Sequence, residues 1–169
     1  MSIRRYRASD QGAVIRLFRE FMSELTPPEF SETFQTYVEQ AIAEELGRIE
    51  EYYFCRDDQG FWVADADDVV GMVGIEHRED QAAELRRMAV QRAQRRKGIA
   101  RELLATAEAF SCDRGYRRIV LSTSELQVAA RRLYESSGYR LVREEKNAAA
   151  SHKSAGAGLT RYHYEKALR

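Results

Sequence analysis

The sequence predicts an α/β fold in which strands and helices are interleaved along one chain, and three stretches predict it. Residues 61–64 and 69–76 are apolar runs separated by the polar cluster Asp65-Ala66-Asp67-Asp68 and read as a β-hairpin. Residues 83–90 are strand-like and lead through a basic turn, Arg95-Arg96-Lys97, into a helix-like run from Ile99 to about Asp113. A strand over 118–123, a helix from about 127 to 136 and a strand over 139–143 continue the alternation.

The elements follow in order from local chemistry. Residues 3–7 alternate apolar and basic side chains like a short strand, and Ser9-Asp10 then offers capping groups to a helix over about 11–25. Val14, Leu17, Phe18, Phe21 and Met22 recur in it at helical spacing, and Thr26-Pro27-Pro28 stops it. A second helix is expected from the capping Ser31 to about Tyr52, with Phe34, Val38, Ala41, Ile42 and Ile49 as its buried stripe. Gly115 and Gly138 end the two later helices, and a strand over 159–168 completes the chain. Residues 147–158, rich in alanine, serine and glycine, read as a mobile loop.

At 169 residues the chain suits one domain, 1–169, with a full core. Lys plus Arg equal Asp plus Glu, 27 each, so the formal net charge is zero and no long-range attraction to nucleic acid or anionic membrane is implied. Met-Ser-Ile-Arg-Arg-Tyr-Arg is not followed by an apolar leader core, and no run of about eighteen apolar residues occurs. The expectation is a soluble, unexported, cytoplasmic protein with no membrane partner. Cys55 and Cys112 are far apart and lack clustered histidines, so no metal site is expected, and two buried free thiols are.

The basic turn carries the most information about function. The first turn of a helix leaves backbone N–H groups unpartnered and adds about half a positive charge, so a phosphate fits there. Gly98 removes a Cβ from the approach, Ala100 keeps the wall small, and Arg95, Arg96, Lys97 and Arg101 flank it with charge. The spacing Arg95-x-x-Gly98-x-Ala100 is neither a P-loop nor the dinucleotide fingerprint.

This order of elements resembles the GNAT superfamily of acyl-CoA-dependent N-acyltransferases. The likeness is carried by Arg95-x-x-Gly98-x-Ala100 after the fourth strand and by Ala130-x-x-Leu133-Tyr134-x-x-x-Gly138-Tyr139 near the end, and it is strongest over 83–143. Within the superfamily, Phe61-Trp62-Val63-Ala64, Gln94-Arg95-Arg96-Lys97-Gly98-Ile99-Ala100 and Thr123-Ser124-x-x-Gln127-x-x-Ala130 look like the camello-like branch, which includes cysteine S-conjugate N-acetyltransferases. Animal members of that branch carry a hydrophobic membrane segment after the first helix, whereas residues 29–54 here are amphipathic and charged.

The resemblance implies a central mixed, largely antiparallel, splayed sheet of six to seven strands flanked by about four helices. It also implies acetyl-CoA as cosubstrate, a small-molecule amine as acceptor, and the homodimers common in the superfamily. Backbone groups around Met88, Ala89 and Val90 would hold the pantetheine arm, and amides from Arg95 through Ile99 to Arg101 the pyrophosphate. Gln127 stands where many relatives have asparagine, and with Ala130 belongs to the cofactor side. Tyr134 matches the tyrosine that protonates the departing thiolate; the plainer alternative is a buried aromatic beside Leu133.

Glu84 lies six residues before Val90, where histone-type relatives place a catalytic glutamate on this strand, and that resemblance makes it the leading base, against the alternative of an ion pair with Arg86 or another cation. Period-two geometry places Glu84, Arg86, Met88 and Val90 on one face. His77 is a weaker base candidate, and Tyr37, Tyr52, Tyr53, Tyr162 and Tyr164 are candidates to line an amine pocket. A lysine-like acceptor costs about 4 kcal/mol to deprotonate at neutral pH and an α-amine about 1, so a base matters more for the former. A protein or peptide N-acetyltransferase and a non-catalytic CoA-binding sensor are the alternative functions.

Overall fold

The computed structural model describes residues 1–147 and 149–169, with only the backbone of Asn147. Ala148, inside the loop expected from the sequence, lies outside the described residues. The strands are β1 (Ser2–Arg5), β2 (Gly60–Asp65), β3 (Val69–Arg78), β4 (Ala82–Val90), β5 (Arg118–Ser124), β6 (Arg140–Asn147) and β7 (Leu159–Ala167). The helices are α1 (Gln11–Leu25), α2 (Ser31–Glu44), α3 (Ile49–Tyr53), α4 (Ile99–Asp113) and α5 (Val128–Ser136). Among the described residues the strands form one sheet in the order β1-β2-β3-β4-β5-β7-β6, antiparallel at every step except β4–β5.

Alternation along the strands divides the core between the two faces of the sheet. Phe61, Val63 and Met72 meet Val14, Phe18 and Phe34 of α1 and α2, together with Ile49 and Tyr53 of α3. Trp62, Ala64, Val73 and Ile75 meet Ile99, Leu103 and Leu104 of α4, and the same cluster takes in Tyr134 of α5. Gly74 is needed where β3 passes under α3, since a Cβ there would stand 2.9 Å from the Tyr53 ring.

The long second helix expected to about Tyr52 is broken. α2 ends at Glu44, a 3-10 turn spans Leu46–Arg48, and α3 begins at Ile49. The cause is Glu45, whose fully buried carboxylate is drawn through the break to two guanidiniums on β4. Both cysteines are exposed free thiols rather than buried ones, Cys55 just after α3 and Cys112 near the end of α4.

The parallel pair β4–β5 is the decisive feature. Its register runs only Ala82–Arg118, Ala83–Ile119 and Glu84–Val120, after which the two strands separate. From Leu85 onward β4 has no β5 partner, and the gap between the strands is an open cavity.

Candidate active site in the splayed sheet

The cavity is walled by α1 and α2 through Phe18, Phe21, Met22 and Tyr37, and by β4 from Glu84 to Ala89. Ser122 and Thr123 of β5, Gln127, Tyr134 of α5, residues 153–156 and Arg161 of β7 complete it.

β4 carries a bulge at this point. Between Met72–Ala89 and Gly74–Arg86 the register gains one residue on β4, and Arg87 adopts φ 58°. Consecutive strand residues ordinarily point to opposite faces; the bulge turns both Arg86 and Arg87 toward Glu45. The left-handed backbone of a non-glycine costs about 1–2 kcal/mol, which Arg87 offsets with contacts. Its Nε and Nη2 meet the Glu45 carboxylate at 3.0 and 2.6 Å, Nη1 donates to Tyr37 Oη at 2.6 Å, and Nη2 also donates to the His152 carbonyl at 2.5 Å.

Arg86 bridges Glu45 at 2.9 Å and Glu76 at 2.7 Å, while Tyr53 Oη donates to Glu45 at 2.5 Å. Burial pushes the Glu45 carboxyl up, but Arg87 and Arg86 outweigh it and hold the group at about 2. The bulge also breaks the parity expected for β4. Glu84 and Arg86 lie on the α2 side of the sheet, whereas Met88 and Val90 join the cluster on the α4 side and Ala89 takes the α2 side.

The basic turn follows the end of β4. Arg96 has φ 66° and Gly98 φ 85°, and Gly98 is the N-cap of α4. Arg101 N and Glu102 N donate back to Gly98 O at 3.0 and 3.1 Å, while the amides of Gly98, Ile99 and Ala100 have no carbonyl partner among the described residues. A Cβ added at Gly98 would meet nothing within 4 Å, so the space over the turn is open. Arg96, Lys97 and Arg101 are exposed around it.

Arg95 is employed differently from the expectation. It donates from Nε to Val90 O at 3.0 Å, pairs with Glu24 at 2.8 Å and lies 5.8 Å from the Phe21 ring centroid. It thereby ties the turn to the end of β4 and to α1. The 95–101 segment does not itself line the cavity, whereas Met88 and Ala89 do.

Tyr134 is buried in α5, packed 5.7 Å from the Tyr139 ring and 6.3 Å from Tyr164. It lines the cavity, and its hydroxyl bonds to no described residue. Burial raises its pKa, so at neutral pH it is a phenol with a proton to donate. Gln127 also lines the cavity; its Oε1 accepts from Thr123 Oγ1 at 2.8 Å and Ser124 N at 3.1 Å, leaving the amide nitrogen without a described partner. Ala130 is partly buried against the cluster that contains Tyr134 and does not line the cavity.

Glu84 is on the cavity wall and ion-paired at once, 3.3 Å from Arg78 and 3.5 Å from Lys153. Its partners are these two cations and not Arg86. The histidines lie elsewhere: His77 meets Tyr116 and Asp58, His152 meets Tyr52 and Glu44, and His163 meets Glu145. Of the five tyrosines considered for an amine pocket, only Tyr37 lines the cavity.

Residues 151–156, expected to be loose, are tied to the sheet. Lys153 pairs with Glu76 at 3.3 Å, and Ser154 and Ala155 are buried. Lys153, Arg161 and Glu45 were not singled out from the sequence. Glu45 had a visible signal, since it lies four residues after Ala41 and seven after Val38 on the buried stripe, where a carboxylate demands a partner.

No cluster of three or more His, Cys, Asp or Glu able to hold a metal ion occurs among the described residues, and no described helix is long and apolar enough to cross a membrane.

The chain matches the acetyltransferase (GNAT) family over residues 18–139. N-acetylaspartate synthetase from Homo sapiens is 41% identical over 108 residues, covering 63% of this chain and 36% of that protein. N-acetyltransferase 8 from Homo sapiens is 33% identical over 110 residues, 62% of this chain and 48% of that protein. The chain thus spans less than half the length of these two curated relatives. An acetyltransferase of the GNAT family from Staphylococcus aureus Mu50 superposes with a TM-score of 0.77 at 18% identity over 99% of both chains. PaiA N-acetyltransferase from Thermoplasma acidophilum, solved in complex with coenzyme A, gives 0.73 at 18% identity over 99% of this chain and 98% of that one. At those identities the likeness is one of fold.

Proposed function

We propose, from the premise that this chain belongs to the acetyltransferase (GNAT) family, that it moves acetyl from acetyl-CoA to a primary amine of a small molecule by direct attack in a ternary complex. The observation that carries the reading is a set of polar groups without partners among the described residues, at the β4–β5 gap and at the start of α4. The β4 edge is open past Glu84, and among the described residues the amides of Gly98, Ile99 and Ala100 and the Tyr134 hydroxyl on the cavity wall have no partner. One thioester with a long amide arm and a pyrophosphate would satisfy all three.

In this reading Met88, Ala89 and Val90 offer backbone groups to the pantetheine arm. The start of α4 accepts the pyrophosphate at the amides of Gly98, Ile99 and Ala100, with Arg96, Lys97 and Arg101 adding charge. The amide nitrogen of Gln127 is an additional donor on that side. The acceptor nitrogen attacks the thioester carbonyl; the C–N bond forms, the C–S bond breaks, and the thiolate takes the Tyr134 proton. Glu84 takes the proton that the amine loses.

The closed-in segment 151–156 favours a small acceptor over a protein chain, in keeping with the relative named for N-acetylaspartate synthesis. The reading treats 1–169 as one catalytic domain at work in the cytoplasm. The test is acetyl-CoA-dependent thiol release against free amino acids, cysteine S-conjugates, polyamines, aminoglycosides and lysine or N-terminal peptides. Turnover of free small amines is expected. Turnover of peptides alone would make it a protein N-acetyltransferase, and CoA binding with no turnover would make it a sensor.

A further inference from the structure

The charges around the cavity do not balance. Glu45, Glu76 and Glu84 face Arg86, Arg87 and Lys153, and each of these six forms an ion pair with another of the set. Arg78 also reaches Glu84, at 3.3 Å, from outside the cavity lining, whereas Arg161, which does line the cavity, pairs with none of these carboxylates. It rises from β7 between two hydroxyls: Nη2 donates to Ser122 Oγ at 2.8 Å and Nη1 to Ser154 Oγ at 3.4 Å.

Among the described residues no carboxylate lies within ion-pair distance of Arg161. Its cross-strand neighbour Glu145 is taken by His163 at 2.6 Å and Arg143 at 3.3 Å. Burial pushes the Arg161 guanidinium below its ordinary range, yet an arginine remains charged at neutral pH. Two of its donors are fixed by serines and the rest have no described partner. Glu84 and Glu145 act on this half-buried guanidinium only from beyond contact, and its planar fork is shaped for a carboxylate.

We infer that Arg161 binds a carboxylate of the acceptor, so that the acceptor is an amino acid or another amine bearing an acid group. The inference rests on the acetyl-transfer reading above and names the substrate class of the same site. The anion supplies the contacting carboxylate that Arg161 lacks among the described residues. The serines hold the fork in place, so that the amine of the bound acid is presented at a fixed distance from Arg161.

The test pairs each free amino acid with its carboxamide, as substrates for the full chain and for R161Q and R161K, with acetyl-CoA binding followed by calorimetry. The wild type is expected to favour acid over amide by about 10²-fold in kcat/KM, the scale of one lost charge-assisted hydrogen bond. R161Q should raise KM for the acid by a similar factor and bring the ratio near one. R161K, a point charge without the fork, should fall between them. Acetyl-CoA affinity should stay within about threefold in both variants.

Equal use of acids and amides by the wild type would overturn the inference, as would an unchanged ratio in R161Q. Loss of acetyl-CoA binding in R161Q would also overturn it and assign Arg161 to the cosubstrate. Should no amine be acetylated, the acetyl-transfer reading fails separately. Calorimetric binding of the amino acids to the CoA-saturated protein then decides: the inference requires acids to bind, carboxamides not to bind, and R161Q to bind neither.

Discussion

Replacing Glu45 with glutamine should unfold this protein more readily than any surface change, and the structure sets the size. The carboxylate is fully buried and touches Arg86, Arg87 and Tyr53. The fall of its pKa from 4.5 to about 2 is worth roughly 3 kcal/mol at about 1.4 kcal/mol per pH unit. Breaking a buried pair by removing one partner costs about 3–5 kcal/mol, and here Arg87 would be left without a carboxylate. For a chain of this size that corresponds to a fall in Tm of about 6–20 °C. The folded pKa lies below the unfolded one, so the contribution is fully present above about 4.5 and is lost as pH falls toward 2. Urea unfolding of wild type and E45Q at pH values from 7 to 2.5 reads both effects. A gap of about 3 kcal/mol at pH 7 that closes below pH 4.5 is expected; a gap under about 1 kcal/mol, or one that ignores pH, would refute the reasoning.

Y134F removes a hydroxyl with no protein partner, so Tm should hold within about 2 °C while kcat falls by about 10²-fold; steady-state kinetics with a thermal melt checks both. G98A places a Cβ in open space at φ 85°, so stability should drop by only about 1–2 kcal/mol while KM for acetyl-CoA rises several-fold. E84Q should slow lysine-like amines more than α-amines, because the former cost about 4 kcal/mol to deprotonate at neutral pH and the latter about 1. Equal slowing of both in kcat would remove Glu84 as the base.

Helix α1, Gln11–Leu25, lies where its apolar spacing and the stop at Thr26-Pro27-Pro28 place it, but its expected capping is absent: no side chain caps its first turn, Ala8–Asp10 form a 3-10 turn, and the Asp10 carboxylate binds Arg4 and the Arg7 amide instead. The turn at Gly98 was legible from local residues too. What escaped is tertiary in origin. The break after α2 and the bulge at Arg87 exist because Glu45 and two arginines, about forty residues apart in sequence, need one another. Propensity along either segment alone supports a continuous helix and a regular strand. That bulge reversed the face assigned to Met88 and Val90 relative to Glu84.

Arg95 looked like a phosphate ligand beside its basic neighbours, but its partners Glu24 and Phe21 come from α1. Arg161 was invisible for the opposite reason. A cation on an alternating strand reads as a solvated face, and only the splay of β4 from β5 turns that position into a cavity wall.

The central claim is that the β4–β5 gap and the start of α4 together bind acetyl-CoA. Titrating the ¹⁵N-labelled chain with acetyl-CoA, and with adenosine alone as control, tests it most directly. The account predicts the largest amide shifts at Met88, Ala89, Gly98, Ile99 and Ala100, with Gly98–Ala100 silent toward adenosine, which carries no phosphate. Saturable binding with those five amides unmoved, or no binding at all, would contradict it.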